Sequence, residues 1–190
     1  KKIPESVIKI IDSLNVDLHK TDNQDLEEDF HLNKNSVKIA KKTIELIDPK
    51  ISEKNIFNSI QNTKILGRCD LINNKFLVDV AHNEDAIKNL KSFIKSRSLD
   101  EDGIAAIFHC SKSKNPISLI SPLNKLFSEL RIPRINNFRL LDEEYIEESF
   151  NNHFEIKVSI DETIEKSIKE IKLLKPESLI LIFGSFYLAG

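Results

Sequence analysis

The sequence predicts an α/β fold in which a mostly parallel sheet is flanked by helices. From residue 63 onward, short apolar runs of strand length alternate with stretches whose apolar residues recur at helical spacing, which is typical of crossover units on a parallel sheet. Residues 1–62 instead carry helical spacing without a convincing strand. A chain of 190 residues can bury a sizeable core without disulfides. We therefore place a domain boundary between Asn62 and Thr63.

Three helices are predicted in residues 1–62. Their apolar positions are Val7, Ile10, Ile11 and Leu14 in the first helix, Val37, Ala40, Ile44 and Ile47 in the second, and Ile56 and Ile60 in the third. Asp48-Pro49 ends the second helix, and Ser52 can cap the third. The acidic, polar stretch 21–29 is predicted to be a loop.

The second part begins with a predicted hairpin and continues with alternating strands and helices. Asn73-Asn74 forms the hairpin turn, because asparagine tolerates the left-handed conformation. The predicted strands are Lys64–Ile72, Lys75–Val80, Ile104–Phe108, a weaker one near Ile135–Leu141, Phe154–Val158 and Leu179–Phe183. The predicted helices are one capped by Asn83, one from Pro116 with Ile120, Leu123, Phe127 and Leu130 inward, Glu143–Phe150, and one with Ile164, Ile168, Ile171 and Leu174 in register.

Composition excludes several classes of protein. The 28 basic and 30 acidic residues give a net charge of −2, without the positive excess of a dedicated nucleic-acid binder. Cys69 and Cys110 have neither CxxC nor zinc-ligand spacing, so no disulfide framework and no metal site is expected. The longest purely apolar run, Leu179–Phe183, is too short for a membrane span, and no signal peptide opens the sequence. We expect a soluble, cytoplasmic protein.

Polar segments follow three of the predicted strands. These segments are Asp79–Asn83, His109–Asn115 and Gly184–Tyr187. Ligands of open α/β sheets bind outside the carboxyl ends of the strands. We therefore expect the three segments to meet at one edge of the sheet and to form the functional site.

Each candidate residue in these segments has a structural alternative. Asp79 is either a hydrogen-bonded structural carboxylate or a group aimed at a ribose hydroxyl, a metal ion or an amine. His82 is either a ligand contact or a surface histidine. Arg68 is either solvated or a phosphate-binding cation, which the neighbouring Gly67 lets a ligand approach. Ser185 is either a site residue or an ordinary turn residue.

The residues resemble a specific family, the folylpolyglutamate synthase/dihydrofolate synthase family of the Mur ligase superfamily. Gly67-Arg68, the strand and turn Phe76–Asn83, and Gly184–Gly190 resemble its GR turn, its D-(G/V)-A-H-N element and its closing G-S-x-Y-L-x-G. Residues His31–Ala40 look like the helix that closes the central ATP-binding domain of the family. The resemblance implies that residues 1–62 are the tail of that central domain and residues 63–190 a Rossmann-like C-terminal domain.

The resemblance also implies a function, which is ATP-dependent addition of L-glutamate to a carboxylate of a folate or a pteroate through an acyl phosphate. Carried over residue by residue, the ATP-contacting positions are Asn35, Arg68 and Asp79, and the positions that line the glutamate pocket are His82, Ser185 and Tyr187. Asp79 and His82 are the catalytic candidates. The implied cofactors are ATP and Mg²⁺, with the Mg²⁺ ligands expected before residue 1, and the implied substrates are L-glutamate and a folate or dihydropteroate.

Two features limit what the resemblance implies. Ser113-Lys114-Asn115 replaces an acidic stretch that the family often carries, and the sequence has no GxxxxGK(S/T) motif. We therefore expect the 190 residues alone to be inactive and to need an N-terminal P-loop domain as a partner. The alternatives are another Mur-type amino-acid ligase and a non-catalytic Rossmann-like binding domain.

Overall fold

The computed structural model describes residues 3–14, 16–19, 21, 34–100 and 103–189. The chain divides into two compact units, Lys1–Asn62 and Thr63–Gly190. In the described part of the chain, no helix is long and apolar enough to cross a membrane. The predicted loop 21–29 lies outside the described residues except for Thr21, and His31 lies outside them too.

The first unit is helical, as predicted. Its helices are α1 (Glu5–Leu14), α2 (Lys34–Ile47) and α3 (Glu53–Asn62). Val37 of α2 and the pair Ile56 and Ile60 of α3 are buried together. Helix α1 has no buried residue, so the apolar face that the sequence predicts for it is exposed within the described structure.

The second unit is built on a sheet of six strands in the order β1-β2-β6-β3-β4-β5. The strands are β1 (Asp70–Ile72), β2 (Phe76–Asp79), β3 (Ile104–Phe108), β4 (Phe127–Pro133), β5 (Val158–Asp161) and β6 (Leu179–Phe183). Only the β1–β2 hairpin is antiparallel, and every other pairing is parallel. Asn73 and Asn74 have φ of 51° and 52°, which confirms the predicted left-handed turn.

Helices cover both faces of this sheet. They are α4 (Glu84–Ser96), α5 (Pro116–Ile120), α6 (Glu143–Asn151), α7 (Ile164–Leu174) and the short α8 (Phe186–Ala189). Successive residues of β6 alternate between two apolar clusters: Leu181 packs with α4, α5 and α6, whereas Ile180 packs with α7 and α8. The predicted α/β class with a mostly parallel sheet is confirmed.

The structure corrects four element predictions. Phe127 and Leu130, predicted inside a long helix, lie in β4, and no strand forms over Ile135–Leu141. The spacing between Phe127 and Leu130 fits a helix, but Glu129 and Arg131 of the same segment are buried and paired within the sheet. Residues 64–69 precede β1 as an irregular segment, and β5 begins at Val158 rather than at Phe154.

Candidate functional site

The three polar segments follow adjacent strands of the sheet. In the parallel ladders, Phe183 of β6 is aligned with Asp79 of β2 on one side and with Phe108 of β3 on the other. The residues after these strands therefore lie at one edge, as predicted. We call this place the carboxyl edge, which comprises Gly67–Cys69, Asp79–Asn83, His109–Lys112 and Gly184–Tyr187.

Gly184 brings two of these segments into direct contact. Its φ is +103°, and a Cβ atom at this position would lie 2.3 Å from the carbonyl oxygen of His109 and 2.6 Å from a ring carbon of Phe108. Only glycine fits both the left-handed conformation and the close approach of the backbone. The chain that leaves β6 is thus fixed against the end of β3.

Asp79 is buried, and its carboxylate already has partners. Oδ2 accepts a hydrogen bond of 2.8 Å from the backbone N–H of Cys69 and one of 3.3 Å from the Cys69 thiol. Burial, together with the Asp79 carboxylate, raises the pKa of the Cys69 thiol far above its usual range, so the thiol remains a protonated donor. The carbonyl of Gly67 accepts from the Val80 N–H at 2.8 Å. Asp79 therefore holds the turn that carries Arg68.

Arg68 and His82 contact the same aromatic ring. The guanidinium carbon of Arg68 lies 5.9 Å from the centroid of the Phe186 ring, and the imidazole of His82 lies 5.4 Å from it. Arg68 makes no ion pair with any residue that the structure describes. Its positive charge rests on an aromatic face instead.

The hydrogen bond of His82 defines its tautomer. Nδ1 lies 2.8 Å from the carbonyl oxygen of Val80. A carbonyl can only accept, so Nδ1 carries the proton and Nε2 of the neutral ring is an acceptor. Because His82 is half-buried, this nitrogen can receive a proton from a ligand at the carboxyl edge.

Ser185 and Tyr187 lie on the segment that follows Gly184. The Ser185 side chain is buried, and its Oγ accepts a 3.1 Å hydrogen bond from the Tyr187 N–H, as a turn residue does. The Tyr187 hydroxyl accepts a 3.2 Å hydrogen bond from Nη1 of Arg139. Arg139 lies between β4 and α6, and no motif in the sequence indicates its presence at this edge.

A buried histidine links the end of β3 to α6. Nδ1 of His109 accepts a 3.0 Å hydrogen bond from the Cys110 N–H, so Nε2 donates to Oε1 of Glu143 at 3.1 Å. Burial by itself raises the pKa of Glu143, but the hydrogen bonds from His109 and from the Ile135 N–H lower this pKa overall. His109 is thereby a structural tie at the carboxyl edge.

Acidic residues near this tie also have structural partners. Carboxylate oxygens of Asp142, Glu143 and Glu144 lie within 4.8 Å of one another, an arrangement that can hold a metal ion. However, Asp142 caps α6 through the Tyr145 N–H, and Glu144 pairs with an arginine. A polar groove of about 590 Å³ is lined by residues 134–138 and 140–143 together with Lys112 and Glu162, and by none of the six predicted site residues.

The sixth predicted residue, Asn35, belongs to the first unit. It is exposed near the beginning of α2. The other five, which are Arg68, Asp79, His82, Ser185 and Tyr187, belong to the second unit, where the structure brings them to the carboxyl edge. Their roles remain predictions.

The fold and the carboxyl edge together define a doubly wound α/β domain of the Rossmann-like class. More particularly, the six-stranded sheet with its flanking helices matches the C-terminal domain of FolC structures. Escherichia coli FolC in complex with ADP, without folate substrate, aligns with a TM-score of 0.79 and 16% identity over 99% of this chain and 50% of its own.

Two further solved structures are similar. Helicobacter pylori folylpolyglutamate synthetase aligns with a TM-score of 0.70 and 20% identity, covering 97% of this chain and 47% of its own. The bifunctional folylpolyglutamate synthase/dihydrofolate synthase of Yersinia pestis, complexed with AMPPNP and a Mn ion, aligns with a TM-score of 0.74 and 15% identity over 99% and 49%. The chain thus spans about half the length of these structures. No family model and no curated protein matches its sequence.

Proposed function

We propose that this chain is part of an ATP-dependent ligase that joins L-glutamate to a carboxylate of a folate or a pteroate. One observation carries the proposal: the segments Asp79–Asn83 and Gly184–Tyr187 follow neighbouring strands in register, on a fold shared with solved folylpolyglutamate synthases. In this proposal, Lys1–Asn62 is the tail of the ATP-binding domain and Thr63–Gly190 is the C-terminal domain.

The reaction has two steps. The γ-phosphoryl group of ATP moves to a carboxylate oxygen of the pteroate or glutamyl substrate, which forms an acyl phosphate and ADP. The deprotonated amine of L-glutamate then attacks the acyl carbon, and the C–O bond to phosphate breaks. The products are an amide and inorganic phosphate.

Arg68 and Asp79 serve the nucleotide side of this reaction. The Arg68 guanidinium lacks a carboxylate partner among the described residues, so it can pair with a phosphate group. Asp79 acts through the Cys69 N–H, because this bond fixes the turn beside Arg68. Asn35 is the third proposed ATP contact. Any Mg²⁺ would accompany the phosphates, and we propose no ligand for it here.

His82, Ser185 and Tyr187 serve the amino-acid side. Nε2 of His82 is the acceptor of the neutral ring, so it can take a proton from the glutamate ammonium group. The Ser185 hydroxyl and the Tyr187 hydroxyl can both donate hydrogen bonds to a carboxylate. The two sides meet at Phe186, whose ring contacts both Arg68 and His82.

The test is transfer of radiolabelled L-glutamate to dihydropteroate or to a reduced folate. The enzyme is the longest natural polypeptide that contains these 190 residues, assayed with and without ATP. We expect ATP-dependent incorporation that is specific for glutamate. Incorporation of a different amino acid would support another Mur-type ligase, and binding of ATP without incorporation of any amino acid would support a non-catalytic domain.

A further inference from the structure

The segment that carries Arg139, residues 134–142 between β4 and α6, is held firmly although Phe138 and Arg139 are exposed. The carbonyl of Arg139 accepts a 2.9 Å hydrogen bond from the Lys112 N–H, and the Leu141 N–H donates to the Cys110 carbonyl at 2.9 Å. Leu140 is buried between them and forms a bridge with Ser111. The backbone of Arg139 is therefore fixed to the segment that follows β3.

The beginning of the same segment is anchored separately. Oε1 of Glu143 accepts hydrogen bonds from the Ile135 N–H at 3.2 Å and from Nε2 of the fully buried His109. A side chain on a backbone constrained at both ends loses less conformational entropy when it binds a ligand than one on a free loop. The segment thus presents Arg139 as a preorganised group.

The guanidinium of Arg139 is positively charged and has no carboxylate partner in the described part of the chain. It contacts the Phe138 ring at 5.6 Å and donates one hydrogen bond to the Tyr187 hydroxyl. Arg134, five residues earlier on the same segment, differs because it pairs with both Glu143 and Glu144. Of these two arginines, only Arg139 has a charge that is available to an anion.

A second unpaired arginine contacts the neighbouring residue of α8. Arg68 contacts Phe186 and Arg139 contacts Tyr187, which are consecutive residues. Ser185 precedes both. Two cations therefore contact the segment Ser185–Tyr187, a charge pattern that fits a ligand with more than one anionic group.

We propose that Arg139 binds the side-chain carboxylate of the incoming glutamate and so determines the preference for this dicarboxylic amino acid. This inference rests on the proposed function. A guanidinium has five N–H donors in a planar fork, so the bond to Tyr187 leaves enough donors for a bidentate pair with a carboxylate. Tyr187 acts as a positioning residue, because its hydroxyl orients the Arg139 side chain.

The test compares two ligands that differ in a single charged group. The ¹⁵N-labelled 190-residue chain is titrated with L-glutamate and with L-glutamine, and backbone amide shifts of residues 184–188 are followed by NMR. We expect glutamate to bind at least about tenfold more tightly than glutamine, since the guanidinium forms charge-assisted hydrogen bonds with a carboxylate and only neutral-acceptor bonds with an amide. Arg139→Gln is expected to reduce this ratio to about one.

Three further variants show whether the preference for glutamate depends on the charge, the shape or the orientation of Arg139. Arg134→Gln is the matched control, because it removes a paired arginine of the same segment, and it should keep the parent ratio. Arg139→Lys retains the charge without the fork and should keep only part of the preference. Tyr187→Phe removes the orienting hydroxyl and should reduce the ratio less than Arg139→Gln does.

The outcomes separate this inference from the proposed function. If the parent prefers glutamate and Arg139→Gln has the same preference, the role of Arg139 is wrong while the proposed function stands. If Arg139→Gln abolishes the response to inorganic phosphate and leaves the affinity for glutamate unchanged, Arg139 binds phosphate and the inference is again wrong. If the parent does not respond to glutamate, both the inference and the glutamate side of the proposed function fail.

Discussion

Two regions of the second unit use arginine in opposite ways. Between β4 and β5, Arg131 is buried and donates to Glu129 at 2.8 Å and to both carboxylate oxygens of Asp161 at 2.9 and 3.0 Å. At the carboxyl edge, Arg68 and Arg139 contact aromatic residues and make no ion pair with a described residue.

The difference separates a structural charge from the two charges that we propose to be functional. Burial by itself lowers the pKa of Arg131, but its bonds to Glu129 and Asp161 raise this pKa overall, so Arg131 remains charged inside the fold. Ser167 adds a 2.7 Å hydrogen bond to Asp161. A fully paired arginine of this kind has nothing left for a ligand, whereas a fixed but unpaired arginine does.

The largest expected effect is on stability, when Arg131 is removed from its buried ion pairs with Glu129 and Asp161. Arg131→Met leaves Glu129 and Asp161 close together without their cation, and removal of one partner from a buried pair costs about 3–5 kcal/mol. Urea unfolding followed by circular dichroism measures this loss. Arg134→Met, which removes an exposed arginine at the end of the same strand, is the matched control and should unfold like the parent. Equal stability of both variants would show that the buried group is not needed for folding.

The next largest effect is expected at Gly184, where the end of β6 packs against the end of β3. Gly184→Ala puts a methyl group 2.3 Å from the His109 carbonyl oxygen, whereas the nearest atom to a Cβ at Gly103 is 3.9 Å away. Both glycines have positive φ, so both variants carry backbone strain of about 1–2 kcal/mol. Gly184→Ala should be destabilised by at least about 2 kcal/mol more than Gly103→Ala in the same urea experiment. A smaller difference would contradict the close packing of Gly184, after β6, against His109, after β3.

The smallest effect is a pH dependence at the segment that carries Arg139. The pKa of Glu143 is lowered in the folded state, so Glu143 contributes stability above its unfolded pKa and loses this contribution as the pH falls through the folded pKa. Glu143→Gln should therefore be less stable than the parent near pH 7 and approach it in acid. Free energies of unfolding between about pH 7 and pH 3 measure this. If the two free energies of unfolding differ by the same amount at every pH in this range, the lowered pKa of Glu143 is contradicted.

The sequence predicts the carboxyl edge because its signals are local. Asn83 caps α4 with a 2.9 Å hydrogen bond to the Ala86 N–H, and the apolar run Leu179–Phe183 forms β6 as expected. Parallel strands then require that the residues after them share an edge. The alternation of strands and helices in the sequence is therefore sufficient to predict that Asp79, His82 and Ser185 lie at one edge of the sheet.

What the sequence could not predict depends on contacts between distant residues. In the strand Phe127–Pro133, Arg131 pairs with Asp161, which is 30 positions away, and no local pattern encodes this pair. Arg139 likewise reaches Tyr187 over 48 positions. The positions and partners of Arg131 and Arg139 are therefore known only from the structure.

The most direct test of the central claim is steady-state kinetics of glutamate transfer by the natural polypeptide, with ATP and L-glutamate varied separately. We expect Arg68→Ala to lower kcat about 10²–10³-fold and to raise the KM for ATP, because it removes a preorganised cation beside phosphate. Ser185→Ala should instead raise the KM for glutamate and leave the KM for ATP nearly unchanged. Lys172→Ala, which removes a cation over the Phe76 ring, is the control and should behave like the parent. Parent-like kinetics for both Arg68→Ala and Ser185→Ala would contradict the assignment of this edge as the ligase site.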